Sequence, residues 1–198
     1  MQRRGVERVQ AILDAAEELL AEQGYEAATL KAIGERAGIP TASVYHYFAD
    51  RYQVDAELAQ RHARRLNERV TAAQANSRAR TLRGAIDAVI DPQVAYLREN
   101  PSIIPLWFVG RSSTLDELVS PYDESWAEYL WRFLIERNFL RADTPKDVVQ
   151  LAYEAGDRLF DIAFQRCPQG DDATINEARR LVTAYLETYA PRNQSPRD

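Results

Sequence analysis

The chain has 198 residues, of which 45% are hydrophobic and 28% are charged, and its formal net charge at pH 7 is −5. This composition is typical of a folded globular protein, and a single cysteine excludes an intrachain disulfide. Two histidines and one cysteine are too few for a metal cluster of these ligands, and no apolar stretch approaches the roughly 18 residues of a membrane span.

The N-terminal part shows the 3.6-residue spacing of apolar side chains that indicates amphipathic helices. A first helix carries apolar residues from position 6 to 20, and Gly24 stands where a helix C-cap belongs. Thr29 is the predicted N-cap of a short helix that stops at Gly38.

Another short helix follows through Val44 to Phe48, and Asp50 then caps a long helix of about eight turns. Later starts are marked by N-cap residues before proline and by capping boxes: Asn100-Pro101, Ser120-Pro121, Thr144-Pro145, Thr114 to Glu117 and Thr174 to Glu177. Strand signals are absent. The sequence therefore predicts an all-α protein of about nine helices.

Positive charge is concentrated toward the N-terminal end. Residues 1–83 carry 13 Lys and Arg against 11 Asp and Glu, whereas residues 84–198 carry 12 against 19. Seven arginines lie between positions 61 and 83, with one acid, Glu68, among them. This pattern indicates either a solvated helix face or a position near a polyanion.

The two short helices between Thr29 and Phe48 have the proportions of a helix-turn-helix, with a tight turn at Gly38-Ile39-Pro40. Val44 and Phe48 share the face that should pack inward. The opposite face presents polar and small groups that can bond base edges or touch a thymine methyl: Thr41, Ala42, Tyr45 and His46. The pattern alone leaves two interpretations open, a DNA-reading helix and an ordinary helical hairpin.

The segment Thr29-Leu-Lys-Ala-Ile-Gly-Glu-Arg-Ala-Gly-Ile-Pro-Thr-Ala-Ser-Val-Tyr-His-Tyr-Phe48 resembles the DNA-binding signature of the TetR family of bacterial transcriptional repressors. The resemblance covers about residues 6–60. It departs from the family pattern at Gly34, where alanine is commoner, at Pro40, where a capping serine is commoner, and at Tyr52, where an acid often stands. Proline at position 40 leaves the first residue of the recognition helix open.

The resemblance implies that the second short helix reads base edges and that neighbouring residues clamp phosphates. The residues that the resemblance implies to face the bases are Thr41, Ala42, Ser43, Tyr45 and His46. Lys31 should reach a base or phosphate at the edge of the site, and Tyr47 and Arg51 match positions that usually hold phosphates.

The last two long helices are candidates for a dimer interface. The helix over 148–164 is apolar or small over most of its circumference, so it should be covered on two sides, one of which suggests a partner subunit. The resemblance implies that two such late helices from each subunit form a four-helix interface. The candidate interface residues are Ala152, Gly156, Leu159, Ala163, Val182 and Tyr185. A wholly intramolecular core is the alternative.

Aromatic residues concentrate between positions 96 and 164, and the resemblance implies an effector pocket in this part of the chain. We expect a small, mostly apolar or aromatic effector. The candidate effector-binding residues are His62, Leu66, Trp107, Phe108, Trp126, Tyr129, Tyr153 and Phe160.

The sequence thus predicts three segments: a helix-turn-helix DNA-binding domain over 1–51, a helical effector-binding and dimerisation domain over 52–190, and a disordered tail over 191–198. The predicted function is a cytoplasmic, homodimeric transcriptional repressor that binds a near-palindromic double-stranded DNA operator and responds to a small molecule. It needs no cofactor, contacts no membrane and is not an enzyme. The alternative is a helical interaction module without sequence-specific DNA binding.

Overall fold

The computed structural model describes residues 3–108 and 126–191. Within these ranges it contains nine helices and no strand, which confirms the all-α fold class. The helices are α1 (Arg3–Gln23), α2 (Leu30–Ala37), α3 (Thr41–Tyr47), α4 (Arg51–Ala75), α5 (Leu82–Glu99), α6 (Ile103–Phe108), α7 (126–136), α8 (Lys146–Arg166) and α9 (Asp172–Glu187). None of the helices in these ranges is both long and apolar enough to cross a membrane.

Some predictions fall outside the ranges that the structure describes. They are the capping box at 114–117, the helix start at 120–121, and the tail beyond Pro191. These remain predictions.

The chain divides into two compact units. Of the residues that the structure describes, 3–66 and 96–108 belong to the first unit, here called the head, and 67–95 and 126–191 belong to the second, the C-terminal unit. This division differs from the predicted boundary at residue 51. The reason is that α4 continues without a break through that position, and its residues Val54 and Leu58 are fully buried in the core of the head.

The head has one apolar core, which α1, α2, α3 and the first half of α4 share and to which α6 contributes. Val44 and Phe48 point into it, as predicted for the inner face of the second short helix. The other buried members are Ile12, Leu13, Ala15, Ala16, Leu19, Leu20, Ala28, Leu30, Ile33, Val54, Leu58, Ala59 and Leu106. Through Val44, α3 is anchored in this shared core.

An ion-pair cluster ties α4 to α1 beside this core. The guanidinium of Arg61, whose side chain is 8% exposed, donates to the carboxylate of Asp14 at 2.6 Å and to that of Glu17. Because a buried guanidinium is costly without partners, these two acids are what allow Arg61 to lie inside the head.

Several predicted caps are confirmed. The Thr29 hydroxyl accepts a hydrogen bond from the Ala32 amide at 3.2 Å, so Thr29 caps α2. Gly24 and Gly38 adopt left-handed φ values of 79° and 66°, which favour glycine at a helix end. The Asp50 carboxylate accepts from the backbone amide three residues later at 2.9 Å, and α4 starts there.

Three later helix starts differ from the prediction. α6 begins at Ile103, two residues later than expected. Pro145 rather than Thr144 is the N-cap of α8, and the Thr144 hydroxyl is buried instead of capping the helix. α9 is capped by Asp171, whose carboxylate accepts from the Thr174 amide at 2.9 Å, so the predicted cap residue lies inside the helix.

Within the C-terminal unit, α8 and α9 pack closely at Gly156. A Cβ added there would lie 2.9 Å from Cγ2 of Val182, so the glycine permits the two helices to approach. Arg179 of α9 also pairs with two acids of α5, with Asp87 at 2.8 Å and with Asp91 at 2.6 Å. These contacts hold α9 against its neighbours on two sides.

Candidate DNA-recognition site

The turn between α2 and α3 is built from backbone hydrogen bonds that end one helix and start the next. The Gly38 amide donates to Glu35, and the Ile39 amide donates to the Gly34 carbonyl at 2.9 Å. Pro40 is the N-cap of α3, so the recognition helix begins at Thr41. This settles the start residue that the sequence left open.

One side of α3 faces solvent. Tyr45 is 55% exposed, and Ala42 and His46 are also exposed. Thr41, Ser43 and Tyr47 are half-buried at the margins of this side, and the His46 and Tyr47 rings meet edge to face at 5.3 Å. The residues predicted to face bases therefore lie together on one short helix, backed by a buried core.

The α2 helix carries two cations with different surroundings. Lys31, with 77% of its side chain exposed, forms an ion pair of 3.9 Å with Glu35 on the next turn of the helix. Arg36 instead donates to two acids of α1, to Glu18 at 3.1 Å and to Glu22 at 2.8 Å. This contact raises the pKa of Arg36 and lowers that of Glu22, and it pins α2 to α1.

Arg51, a predicted phosphate contact, is largely buried and has partners within the head. Its side chain is only 17% exposed, and its Nε donates to Asp55 at 2.6 Å. The guanidinium also lies over the ring of Tyr25, 4.6 Å from its centroid, and Nη1 approaches the Tyr25 carbonyl at 3.5 Å. The charge of Arg51 is therefore paired inside the head, while the residue also borders an open pocket together with Tyr45. Its contact with a phosphate stays a prediction.

Tyr25 and Asp55 are residues that the sequence interpretation missed. The Tyr25 hydroxyl donates to the fully buried Asp55 carboxylate at 2.6 Å. Burial, followed by the hydrogen bond and negative charge of Asp55, raises the pKa of Tyr25. The four-residue spacing of Arg51 and Asp55 on α4 was a usable signal for this pair. Tyr52 is another exposed residue of the head, at 62%, that the predicted site did not include.

The predicted effector residue His62 lies in a buried polar cluster of the head. Its Nδ1 shares a hydrogen bond of 2.9 Å with the Tyr96 hydroxyl, and its Nε2 lies 3.6 Å from a Glu17 oxygen. Burial, with smaller contributions from the positive charges of Arg61 and Arg65, lowers the pKa of His62 to about 4. The imidazole is therefore neutral at neutral pH.

The other predicted effector residues are divided between the two units. Leu66 and Trp107 are half-buried in the head, where Trp107 packs against the core, and Phe108 ends α6.

In the C-terminal unit, the rings of Trp126 and Tyr153 lie 5.8 Å apart and Tyr129 is partly exposed. Tyr153 and Phe160 line a cavity of about 40 Å³ between α5, α7, α8 and α9. Its other lining residues are Ile86, Val89, Ile90, Gln93, Leu130, Val149, Ala152, Gly156, Asp157, Val182 and Leu186.

Most of the predicted dimer residues lie inside the chain's own core. Ala152, Gly156, Ala163 and Val182 are buried, and Gly156 meets Val182 directly across the two helices. These four side chains fill an internal contact between the two helices of one subunit, and the dimer interface itself stays a prediction. Two of the six candidates, Leu159 and Tyr185, are half-buried.

The outward side of α8 and α9 carries different apolar residues. Leu151 is 56% exposed and Leu181 is 43% exposed, and Ala155 and Ala184 are also exposed. These four residues, together with Leu159 and Tyr185, are called the outer face below.

Comparison with known proteins gives matches to both parts of the chain. The family model of bacterial regulatory proteins of the tetR family matches residues 12–58, and the model of the tetracyclin repressor-like C-terminal domain matches residues 81–186. The HTH-type transcriptional repressor AcnR of Corynebacterium efficiens is 28% identical over 160 residues, which are 73% of this chain and 75% of that protein.

Solved structures agree with these matches. A TetR-family transcriptional regulator from Streptomyces coelicolor is 33% identical, with a TM-score of 0.69 over 92% of this chain and 99% of its own. The fatty acid degradation regulator FadR from Bacillus halodurans shares the fold at 17% identity, with a TM-score of 0.69 over 88% of this chain and 97% of its own. The helix-turn-helix is therefore not an ordinary packing hairpin: the chain is a DNA-binding transcriptional regulator and belongs to the TetR family.

Proposed function

We propose that this regulator is a cytoplasmic homodimeric repressor that leaves a near-palindromic operator when it binds a small, mostly apolar or aromatic effector. The observation that carries the proposal is the exposed side of α3, with Ala42, Tyr45 and His46 presented on a rigid core. The AcnR relative, itself named a transcriptional repressor, supports the direction of regulation. No metal or cofactor enters the proposal.

The exposed groups of α3 suit reading of the major groove. The Tyr45 hydroxyl and the His46 imidazole can each donate to or accept from a base edge, and the Ala42 methyl can contact a thymine methyl. Both side chains are exposed, so both can meet DNA without leaving the core of the head. Thr41 and Ser43 add hydroxyls at the margin of the same side. In this proposal Tyr47 and Lys31 contact phosphates.

The test is selection of a duplex from a randomised library with the purified protein, followed by titration of the selected duplex. Tyr45→Ala or His46→Ala should weaken binding of that duplex by about 1–3 kcal/mol without changing the helical content. Tyr52→Ala removes an exposed ring from the same unit and should leave the base preference unaltered. Failure of the wild-type protein to enrich any sequence would overturn the operator-reading proposal.

The homodimer is supported by the outer face of α8 and α9. Large apolar side chains such as Leu151 and Leu181 rarely stay exposed together on a soluble monomer, and a second copy can cover them by a two-fold axis. A two-fold dimer presents two recognition helices to a palindrome if they lie about 34–36 Å apart or a multiple of that distance.

Oligomeric state tests the interface directly. Leu151→Arg or Leu181→Arg should convert a dimer to a monomer in sedimentation at micromolar concentration, because each would bury an unpaired charge in the interface. Glu187→Arg, an exposed change near the end of α9, is the matched control for added charge. A wild-type protein that sediments as a monomer would contradict the dimer.

The effector proposal is supported by the cavity of the C-terminal unit. Its lining is apolar except for Gln93, Tyr153 and Asp157, which fits a ligand with an apolar body and few polar groups. A volume of about 40 Å³ is well below the roughly 150 Å³ of a cavity that holds benzene. An effector must therefore widen the site. It releases DNA only if it binds the form that does not bind DNA more tightly than the form that does.

A filled cavity should block the response. Ala152→Leu adds volume to the lining, whereas Ala173→Leu adds the same volume at an exposed position of α9. A small aromatic compound that releases the selected duplex from wild-type protein should release it from the Ala173 variant but not from the Ala152 variant. Equal release from both variants would place the effector elsewhere.

A further inference from the structure

Gly34 is a glycine in the interior of α2, the first helix of the helix-turn-helix. Glycine in a helix interior is less favourable than alanine. Its φ is not positive, unlike those of Gly24, Gly38 and Gly170, so the left-handed region does not account for it. The glycine is explained by the lack of space around its α-carbon.

The turn and the start of α3 lie directly over Gly34. A Cβ added to this residue would be 2.9 Å from the carbonyl oxygen of Ile39, 3.1 Å from Cγ2 of Val44 and 3.7 Å from the α-carbon of Thr41. The first atom belongs to the backbone of the turn, and the second to a side chain that is fully buried. Neither can rotate into open space.

An alanine at this position therefore acts on the position of α3. The Ile39 carbonyl would have to move by about 0.5 Å to regain ordinary van der Waals separation, and α3 follows the turn directly. Because the Ile39 amide is bonded to the Gly34 carbonyl at 2.9 Å, the turn cannot lift away without straining that bond as well.

We propose that Gly34 is a positioning residue for operator recognition, because the missing Cβ lets α3 lie closer to α2 than an alanine permits and so sets where the recognition side chains enter the groove. The proposal rests on the DNA-binding role of the chain. Gly34 itself touches no DNA.

Base reading is sensitive to a shift of this size. Hydrogen bonds to base edges need donor and acceptor within about 2.7–3.2 Å, and a recognition site loses function when its geometry is loose by about 0.5 Å. Lys31 stays with α2 while Tyr45 and His46 move with α3, so the phosphate contact and the base contacts would fall out of register. Non-specific binding, which depends on charge alone, is far less sensitive.

The experiment compares Gly34→Ala with wild type on the duplex that the wild-type protein selects from a randomised library and on an unrelated duplex of equal length. We expect the affinity of the variant for the selected duplex to fall by about tenfold or more, and its affinity for the unrelated duplex to stay within about twofold. Repeating the selection with the variant should yield a different base preference. Circular dichroism and thermal melting report the folded fraction.

Gly5→Ala is the matched control, since Gly5 also lies in a helix of the head but an added Cβ would meet nothing within 4 Å. It should bind both duplexes as wild type does. A folded Gly34→Ala protein with wild-type affinity and wild-type base preference would overturn the proposal, as would a variant that does not fold, since Gly34 would then act through stability alone. Failure of wild type to select any duplex would instead refute operator reading itself.

Discussion

Replacing Asp55 with alanine tests whether the Tyr25, Arg51 and Asp55 cluster belongs to the fold of the head. The change removes the carboxylate that pairs with Arg51 at 2.6 Å and accepts the Tyr25 hydroxyl at 2.6 Å. Deleting one partner of a buried ion pair costs about 3–5 kcal/mol, because the other charge stays buried without compensation. Arg51 retains 17% exposure and water can reach part of it, so we expect a loss of about 3 kcal/mol in the free energy of unfolding.

Urea unfolding followed by circular dichroism measures this loss, and Glu57→Ala, an exposed acid on the same helix, is the control. Adding Arg51→Met to Asp55→Ala should recover much of the stability, since the buried charge is then gone. Arg51→Ala should leave the salt dependence of DNA binding unchanged. An Asp55→Ala protein within about 0.5 kcal/mol of wild type would refute the reasoning, and a flatter salt dependence for Arg51→Ala would restore its role as a phosphate clamp.

Two further predictions concern His62 and Gly156. In the unfolded chain His62 titrates near 6.5 and in the head near 4, so stability should fall by on the order of 3 kcal/mol as the pH drops through that window. Urea unfolding measured at several pH values should show a weaker dependence of stability on pH for His62→Gln. His46→Gln, at an exposed position, should leave that dependence unchanged. Gly156→Ala should lower the free energy of unfolding by about 1–3 kcal/mol, because the added methyl collides with Val182. Adding Val182→Ala should recover part of this loss, and a thermal melt of the double variant that shows no recovery would contradict that cause.

Features encoded by neighbouring residues were predictable from the sequence. The caps at Thr29 and Gly38 and the inward face of Val44 and Phe48 depend on residues within one or two helical turns, and the structure has them where expected. The start of α9 was missed because two acceptors compete there, and Asp171 captures the amide three residues ahead.

Features that depend on distant residues were not predictable in the same way. The pattern of α8 shows that most of its circumference is apolar, but it cannot show which side meets α9, so Gly156 was assigned to a partner subunit instead of to Val182. The family resemblance implies a phosphate role for Arg51, but the pattern does not show its contact with Tyr25, which lies 26 residues earlier in the chain. The sequence shows the charge of such a residue and its place in a family pattern, but its structural role depends on the distant residues that it contacts.

The pairing of cations inside the head has a consequence for how the protein searches the genome. Arg36, Arg51 and Arg61 each form ion pairs with acids of the same unit. One-dimensional sliding depends on loose attraction to phosphates, and cations that are already neutralised contribute little to it. We therefore expect these three arginines to add little to the time that the protein stays on unrelated DNA, so that sliding depends on the other cations of the head.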